Sequence, residues 1–227
     1  MINVFRLSNS SNIEDIGYEF PQVQTEWWEN FDYWGPESVS KTPLKGPISF
    51  KVIFPKFILK DLAKPTDLLS SSNIAKYLMV SRRLFDLLRQ SRIDDFQFFV
   101  EQVHTPHGVI DYYLIYLNTP RDDEFFDWEN CSFYDVNDSE RRTFKVKTAL
   151  EYYDSANGKV LKPERISINP GQPKFDLFRF YYYISGGWFY VSERLKEAIM
   201  DAKLTGIQFD PLVCHEAGES VELSGGG

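Results

Sequence analysis

The chain has little of what most enzyme and metal-site chemistry is built from: among 227 residues there are two cysteines, three histidines and three methionines. Cys131 and Cys214 lie in separate parts of the chain without a partner motif, so they read as free thiols rather than a disulfide framework or a thiolate metal site. No segment approaches 18 uninterrupted apolar residues, and the start, MINVFRLSNSSNIEDIG, lacks a basic opening, an apolar stretch and a small-residue cleavage site. The expectation is a soluble cytoplasmic protein that does not enter the membrane. Basic charge is scarce as well: 25 Lys and Arg face 33 Asp and Glu, a net charge of −8. That balance argues against a nucleic-acid partner, whose phosphates need clustered cations, and favours a basic protein partner. A phosphate-binding glycine loop, a dinucleotide fingerprint and a Gly-x-Ser-x-Gly elbow are all missing. Ser185-Gly186-Gly187 precedes a strand, whereas a phosphate turn precedes a helix N-terminus. No cofactor, metal or catalytic residue is expected.

What is abundant is core material, with 43% hydrophobic and 16% aromatic residues. The segment from Trp188 to Leu212 carries mutually consistent signals. Trp188 to Val191 suit a strand, Ser192 suits a helix N-cap, and Leu195, Ala198, Ile199 and Ala202 recur at helical spacing. Gly206 follows as the expected helix stop, Ile207 and Phe209 alternate with Gln208 and Asp210 as a half-exposed strand, and Pro211 is expected to end it. A similar unit lies 111 residues upstream, where Val80 to Phe98 aligns without a gap on Val191 to Phe209 with six identities in nineteen positions. Leu84, Leu87 and Leu88 there match Leu195, Ala198 and Ile199. Convergence of two capped strand–helix–strand units and true internal duplication both explain the match. Either way, the expected fold is α+β, with mainly antiparallel sheets in two similar parts, each carrying one such unit.

Divided along the chain, residues 1–75 form an irregular aromatic-rich segment with one strand near Val4, and residues 76–140 the first capped unit with a hairpin and an acidic segment. Residues 141–213 form the second β-rich part, and 214–227 a polar tail outside the fold. Within this frame Ile48 to Phe54 alternates as a strand, and Asp95–His104 with Val109–Asn118 forms a hairpin across Thr105-Pro106-His107-Gly108. Phe144 to Tyr153 alternates as another strand, Asn157-Gly158 turns it towards a strand near Val160, and Pro163 to Lys174 reads as loop.

The C-terminal VSERL, LTGIQF and PL resemble the end of the immunity protein eleven family of bacterial polymorphic toxin systems, with the likeness strongest over residues 175–212. The matching positions, Val191, Ser192, Arg194, Leu195, Leu204, Gly206 and Phe209, carry over as structural positions only. The resemblance implies a non-enzymatic role, stoichiometric binding and neutralisation of a cognate toxin.

Three constellations are candidates for contact with a partner. Arg121 to Glu140, RDDEFFDWENCSFYDVNDSE, holds eight acids and one arginine, almost the whole net charge of the chain. Its acids are interleaved with rings, as at protein interfaces where aromatic anchors sit within a charged rim. Asp122, Asp123, Glu124, Asp127, Trp128, Glu129 and Asp135 are therefore the expected partner-binding residues. A solvated acidic loop is the plainer alternative. The aromatic run Trp27, Trp28, Phe31, Tyr33 and Trp34 is expected to dock the N-terminal segment onto the fold, with a carbohydrate-stacking platform of Trp27, Trp28 and Trp34 as the rival. His104 and His107, near Glu101, would be the place for a metal-dependent enzyme, but a hairpin tip without a third ligand reads as solvated loop.

Overall fold

The computed structural model describes residues 2–180 and 189–216. In chain order its first half contains β1 (Ile2–Asn9), α1 (Ile13–Ile16), β2 (Val23–Glu26), β3 (Lys56–Leu59), β4 (Leu68–Leu69), β5 (Leu78–Val80), α2 (Arg82–Arg89) and β6 (Phe96–Thr105). The second contains β7 (Gly108–Leu117), α3 (Asp122–Phe125), β8 (Ser132–Asp135), β9 (Thr143–Phe144), α4 (Ala149–Ser155), β10 (Leu161–Arg165), β11 (Ser167–Ile168), β12 (Leu177–Arg179), β13 (Phe189–Ser192), α5 (Glu193–Asp201) and β14 (Ile207–Glu216). This is an α+β fold of mostly antiparallel sheets. One sheet runs β4-β5-β7-β6-β3-β2, a second β12-β13-β1-β14-β11, and a small third β10-β8-β9.

Strand alternation divides the apolar residues among three cores. Phe5, Leu7, Val80, Ile115, Leu117 and Val191 face inwards between the two large sheets, where they meet Leu84, Phe85 and Leu88 of α2 and Leu195 and Ile199 of α5. Their neighbours face outwards. Met79, Leu114 and Tyr116 pack under the segment carrying Val39, Ile48, Val52 and Phe54. Val4, Phe178 and Tyr190 pack under the rings of residues 125–133 and α4. Each large sheet is therefore covered on both faces, and α2 and α5 supply their apolar stripes to the shared central core.

Both central helices begin as the sequence predicts. Ser81 and Ser192 take extended backbone and accept hydrogen bonds from the N–H of Leu84 and Leu195, each at 3.2 Å. Each serine hydroxyl also donates to a buried carboxylate, Ser81 to Asp67 at 2.6 Å and Ser192 to Asp176 at 2.8 Å. Asp176, which is fully buried, also accepts from the Arg92 N–H at 2.8 Å and from the Arg194 guanidinium. Burial would push its carboxyl up, yet the Arg194, Arg92 and Ser192 hydrogen bonds outweigh it and bring it down to about 2. Asp67 accepts from Arg83 and from the N–H of Thr205 at 2.9 Å.

Several expected boundaries move. Ile48 to Phe54 is not a strand: the Gln97 side chain takes the Ile48 N–H at 2.6 Å and donates to its carbonyl at 3.1 Å, and the pairing falls instead on β3. The alternation of Ile48, Val52 and Phe54 reports burial in a core rather than a ladder. Of the expected 144–153 strand only Phe144 pairs, as the end of β9; beyond it Thr148 caps α4 by accepting from the Glu151 N–H at 3.1 Å, while the Glu151 carboxylate accepts from Lys147 N–H at 2.7 Å. That reciprocal capping outweighs the alternating pattern. Pro163 to Lys174 is not all loop, because β10 runs through Pro163 and β11 follows.

Helix α5 ends at Asp201, and the left-handed residue that follows its end directly is Lys203 at φ 52°, with Gly206 left-handed as well, at φ 78°, three residues on. Gly206 serves a different need, since a Cβ there would lie 2.3 Å from Thr66 Oγ1 and 2.4 Å from the Leu68 carbonyl oxygen. Pro211 does not stop β14, which pairs Ile2 with Cys214 and His215 with Ser167; β11 covers only that far end, leaving one edge of the strand open at the proline. The segment beyond residue 213 therefore belongs to the fold as far as Glu216. Trp188 and the Ser185-Gly186-Gly187 turn lie outside the described residues.

Leu84→Ala and Leu195→Ala should each lose about 2–5 kcal/mol in chemical denaturation. Asp176 makes a pH-dependent contribution of known sign. Its folded pKa lies below the unfolded value, so the stabilisation is complete above about pH 4 and is lost as pH falls through 2. Across that window Asp176→Asn should lose about 2 kcal/mol less than the parent chain, as measured by denaturant melts at stepped pH.

Candidate partner-binding surface

The acidic segment leaves β7 through Arg121, and the segment's one cation is used up at once. Its guanidinium forks onto the buried Asp94 at 2.5 and 2.6 Å, donates to Glu124 at 2.7 Å and lies 5.1 Å from the Phe175 ring centroid. From that fixed point the rings turn inwards. Phe125, Phe126, Trp128 and Phe133 are all at most 5% exposed. Phe125 and Phe126 lie 5.0 and 4.7 Å from Phe180, Trp128 lies 5.2 Å from Phe126, and Phe133 lies 4.7 Å from Tyr152 of α4. Edge-to-face and tilted packing of this kind makes the rings the segment's own anchor.

Trp128 is thus a core residue, which corrects its expected role as an interface anchor. Asp122 is also buried. The acids left outside are Asp123, Glu124 and Glu129, with Asp127 and Asp135 half-buried. Asp123 accepts from the Ala149 N–H at 3.1 Å, in the first turn of α4, where a carboxylate complements the helix dipole. Asp127 accepts from Asn130 at 2.7 Å, and Asp135 from the Asn137 N–H at 3.0 Å. Farther along, Arg142 pairs with Asp138 and Glu140 at 3.0 and 3.4 Å, so that end is compensated. Among the described residues no basic side chain pairs with the carboxylate of Asp123 or Glu129, although the Lys145 ammonium donates to the Glu129 backbone carbonyl at 3.1 Å.

Beside these acids opens a cleft of about 490 Å³ lined by Asp122, Asp123, Glu124, Leu44, Lys45 and Leu150, among others. Leu150 is 61% exposed on the outer face of α4. The opposite wall is held just as firmly: the Tyr116 hydroxyl donates to the carbonyls of Pro43 and Gly46 at 2.8 and 2.9 Å, and the fully buried Arg179 donates to the Leu44 carbonyl at 2.6 Å. The Arg179 guanidinium lies 5.2 Å from the Tyr116 ring centroid, and burial lowers its pKa. Leu44, Lys45 and Leu150 join the site from distant parts of the chain and were invisible to the local charge pattern. The Thr148-Ala149-Leu150-Glu151 capping box was the one signal that could have revealed α4, and with it Leu150.

The other candidates sit elsewhere. Ser192 is a buried cap with both functions of its hydroxyl in use. His104 lies within β6, and His107 tips the hairpin with its N–H donating to Thr105 Oγ1 at 3.2 Å. Among the described residues no group of three or more His, Cys, Asp or Glu is placed to hold a metal ion. In the N-terminal run Trp27 stacks on Phe31 at 4.6 Å and packs against the outer core, whereas Trp28 and Trp34 are 56% and 71% exposed. The Trp28 indole N–H donates to the Phe54 carbonyl at 3.1 Å. No helix in the described residues is long and apolar enough to cross a membrane.

No model of a known protein family matches the chain, and no curated protein does. The site is therefore read from its own geometry. Trp128→Ala should cost about 3–5 kcal/mol, because the ring fills a core rather than a partner's pocket. A denaturation midpoint unchanged in that variant would return Trp128 to the surface.

Proposed function

We propose that the protein is a non-enzymatic immunity protein that binds a basic toxin and occludes it stoichiometrically in the cytoplasm. The observation that carries this reading is the division of labour in the acidic segment: its rings are locked into the fold, the carboxylates of Asp123 and Glu129 are exposed and make no ion pair among the described residues, and a cleft with the apolar walls Leu44 and Leu150 opens beside them. A partner's basic side chain meets the Asp123 and Glu124 carboxylates already held by the Ala149 N–H and by Arg121, so little conformational entropy is lost there on binding. Long-range attraction raises the association rate, and apolar contact in the cleft slows dissociation. The resemblance of VSERL, LTGIQF and PL to the immunity protein eleven family supports the same role. No catalytic step is involved, because occlusion needs only complementary surface.

A direct test is to purify the chain with the toxin domain encoded beside its gene: a stable complex and rescued growth support the reading, and a neighbour that neither binds nor poisons would sink it. Within such a complex, a chain carrying Asp123→Asn, Glu124→Gln and Glu129→Gln should associate ~10-fold more slowly at low salt and lose most of its salt dependence. Leu150→Ala should leave association unchanged and speed dissociation, both read by surface plasmon resonance.

The exposure of Trp28 and Trp34 favours one second reading, a carbohydrate platform. Trp28 forms part of a cleft of about 460 Å³ with Lys56, Gln102, His104 and Asp111, an aromatic face ringed by polar side chains. Under this reading the chain's tryptophan fluorescence shifts on titration with oligosaccharides and stays unchanged in a Trp28→Ala, Trp34→Ala chain.

A further inference from the structure

We infer that the chain is two tandem copies of one repeat, residues 2–105 and 108–216, that have exchanged their first strands. The two large sheets are the same sheet built twice. In one, β7 lies between β5 and β6, antiparallel to both; in the other, β1 lies between β13 and β14, antiparallel to both. Each first strand therefore completes the sheet of the other copy.

The registers agree residue by residue. Val80 and Val191, at corresponding positions 111 apart in the aligned segments, pair with Tyr113 and Phe5; Phe98 and Phe209, equally spaced, pair with Ile115 and Leu7. Tyr113 thus corresponds to Phe5 and Ile115 to Leu7, the same offset from two different neighbours. Next to these strands Leu68 pairs with Val80, and Leu177 with Val191. At the far side β3 runs parallel to β6 as β11 runs parallel to β14, with Ile58 opposite His104 and Ser167 opposite His215. Beyond them Val23 opposes Leu59, and Phe126 opposes Ile168. Even the exits match: Ser10 N–H donates to the Gly206 carbonyl at 2.9 Å, and Asn118 N–H to the Asp95 carbonyl at 2.8 Å. Convergence on a capped helix would reproduce the α2 and α5 units, but not parallel and antiparallel pairings in shared register along the whole width of two sheets.

The buried carboxylates follow the same symmetry. Asp67 precedes β4 as Asp176 precedes β12; each receives the cap serine of its own copy's helix, and the arginine two residues after that serine. Each then reaches across. Asp67 accepts from the Thr205 N–H of the second copy, and Asp176 from the Arg92 N–H of the first. What differs between the copies is the insertion between their second and third paired positions: the tryptophan-rich arm of residues 27–55 in one, the acidic arm of residues 127–165 in the other. The cleft forms where Leu44 and Lys45 of the first arm meet Ala149 and Leu150 of the second. The framework is a covalently linked pseudo-dimer, and among the described residues its main asymmetry lies in the arms.

Exchange predicts that the two copies hold together without their covalent link. A protease site inserted between Pro106 and His107, at the exposed hairpin tip, allows the folded full-length chain to be nicked. The two fragments should co-elute at the mass of the intact chain on gel filtration and unfold in a single transition. Fragments that separate under native conditions would overturn the inference. A second measurement needs no insertion: in the unmodified chain the amides of Phe5 and Leu7 should exchange hydrogen within about tenfold of those of Tyr113 and Ile115, since neither sheet survives without the other copy's strand. Protection that differs a hundredfold or more between the two strands would show that the copies open independently, and the inference would fail.

Discussion

A carboxylate with no exposed surface stays charged only where donors replace the water it has lost, and Asp176 collects Ser192, Arg194 and Arg92 for that purpose. The arrangement couples local to global structure. The Ser192 hydroxyl cannot satisfy both the Leu195 N–H and Asp176 unless the turn from β13 into α5 is correctly formed, and Asp176 cannot reach the Arg92 N–H unless α2 has ended where it does. A backbone donor offers no freedom to compensate for a shift, so the position of one helix end is tied to the start of the other. Asp67 imposes the same condition in the opposite direction. Two clamps of this kind fix the relative placement of both helices, and through them the central core on which each sheet packs its inner face.

How much of this was legible in the sequence follows from how local each signal is. Ser81 and Ser192, the apolar spacing after them, and the Thr105-Pro106-His107-Gly108 turn act over a few residues, and their elements appear where expected. Ile48, Val52 and Phe54 failed as a strand because alternation marks which side chains are buried and not which backbone groups find partners; Gln97, far away in sequence, decided that. Pro211 failed as a stop because the unpaired edge of β14 was not deducible from its own residues. The same division holds at the site. The charge pattern located Asp123, Glu124 and Glu129, but alternating acids and rings read equally as a studded interface or as a covered core, and only the packing of Phe125, Phe126 and Trp128 against Phe180 separates the two. Leu44 and Leu150 meet across about a hundred residues, which no local pattern encodes.

Acids outside and rings inside also explain how so much like charge is tolerated in one stretch. Burying four large rings offsets the mutual repulsion of the carboxylates, and Arg121 and Arg142 stand at either end to compensate the acids nearest them. The field that remains is directed outwards from the middle of the segment. Under the proposed function such a surface would attract a cationic partner before contact while discriminating poorly among cationic bodies at a distance, and selectivity would fall to the cleft lined by Leu44 and Leu150.

Cys131 is fully buried, its sulfur accepts from the Ser167 N–H at 3.3 Å and donates to the Ser167 carbonyl at 3.4 Å, and burial pushes its thiol up to about 11. Alkylation needs a thiolate to attack the reagent and a path for the reagent to reach it, so in the folded state this sulfur is inert on both counts. Modification of it requires an opening, local or global, that separates Cys131 from β11. The rate at which a peptide containing Cys131 gains mass in the presence of excess reagent therefore reports how often this part of the fold opens, with no residue of the chain having been changed.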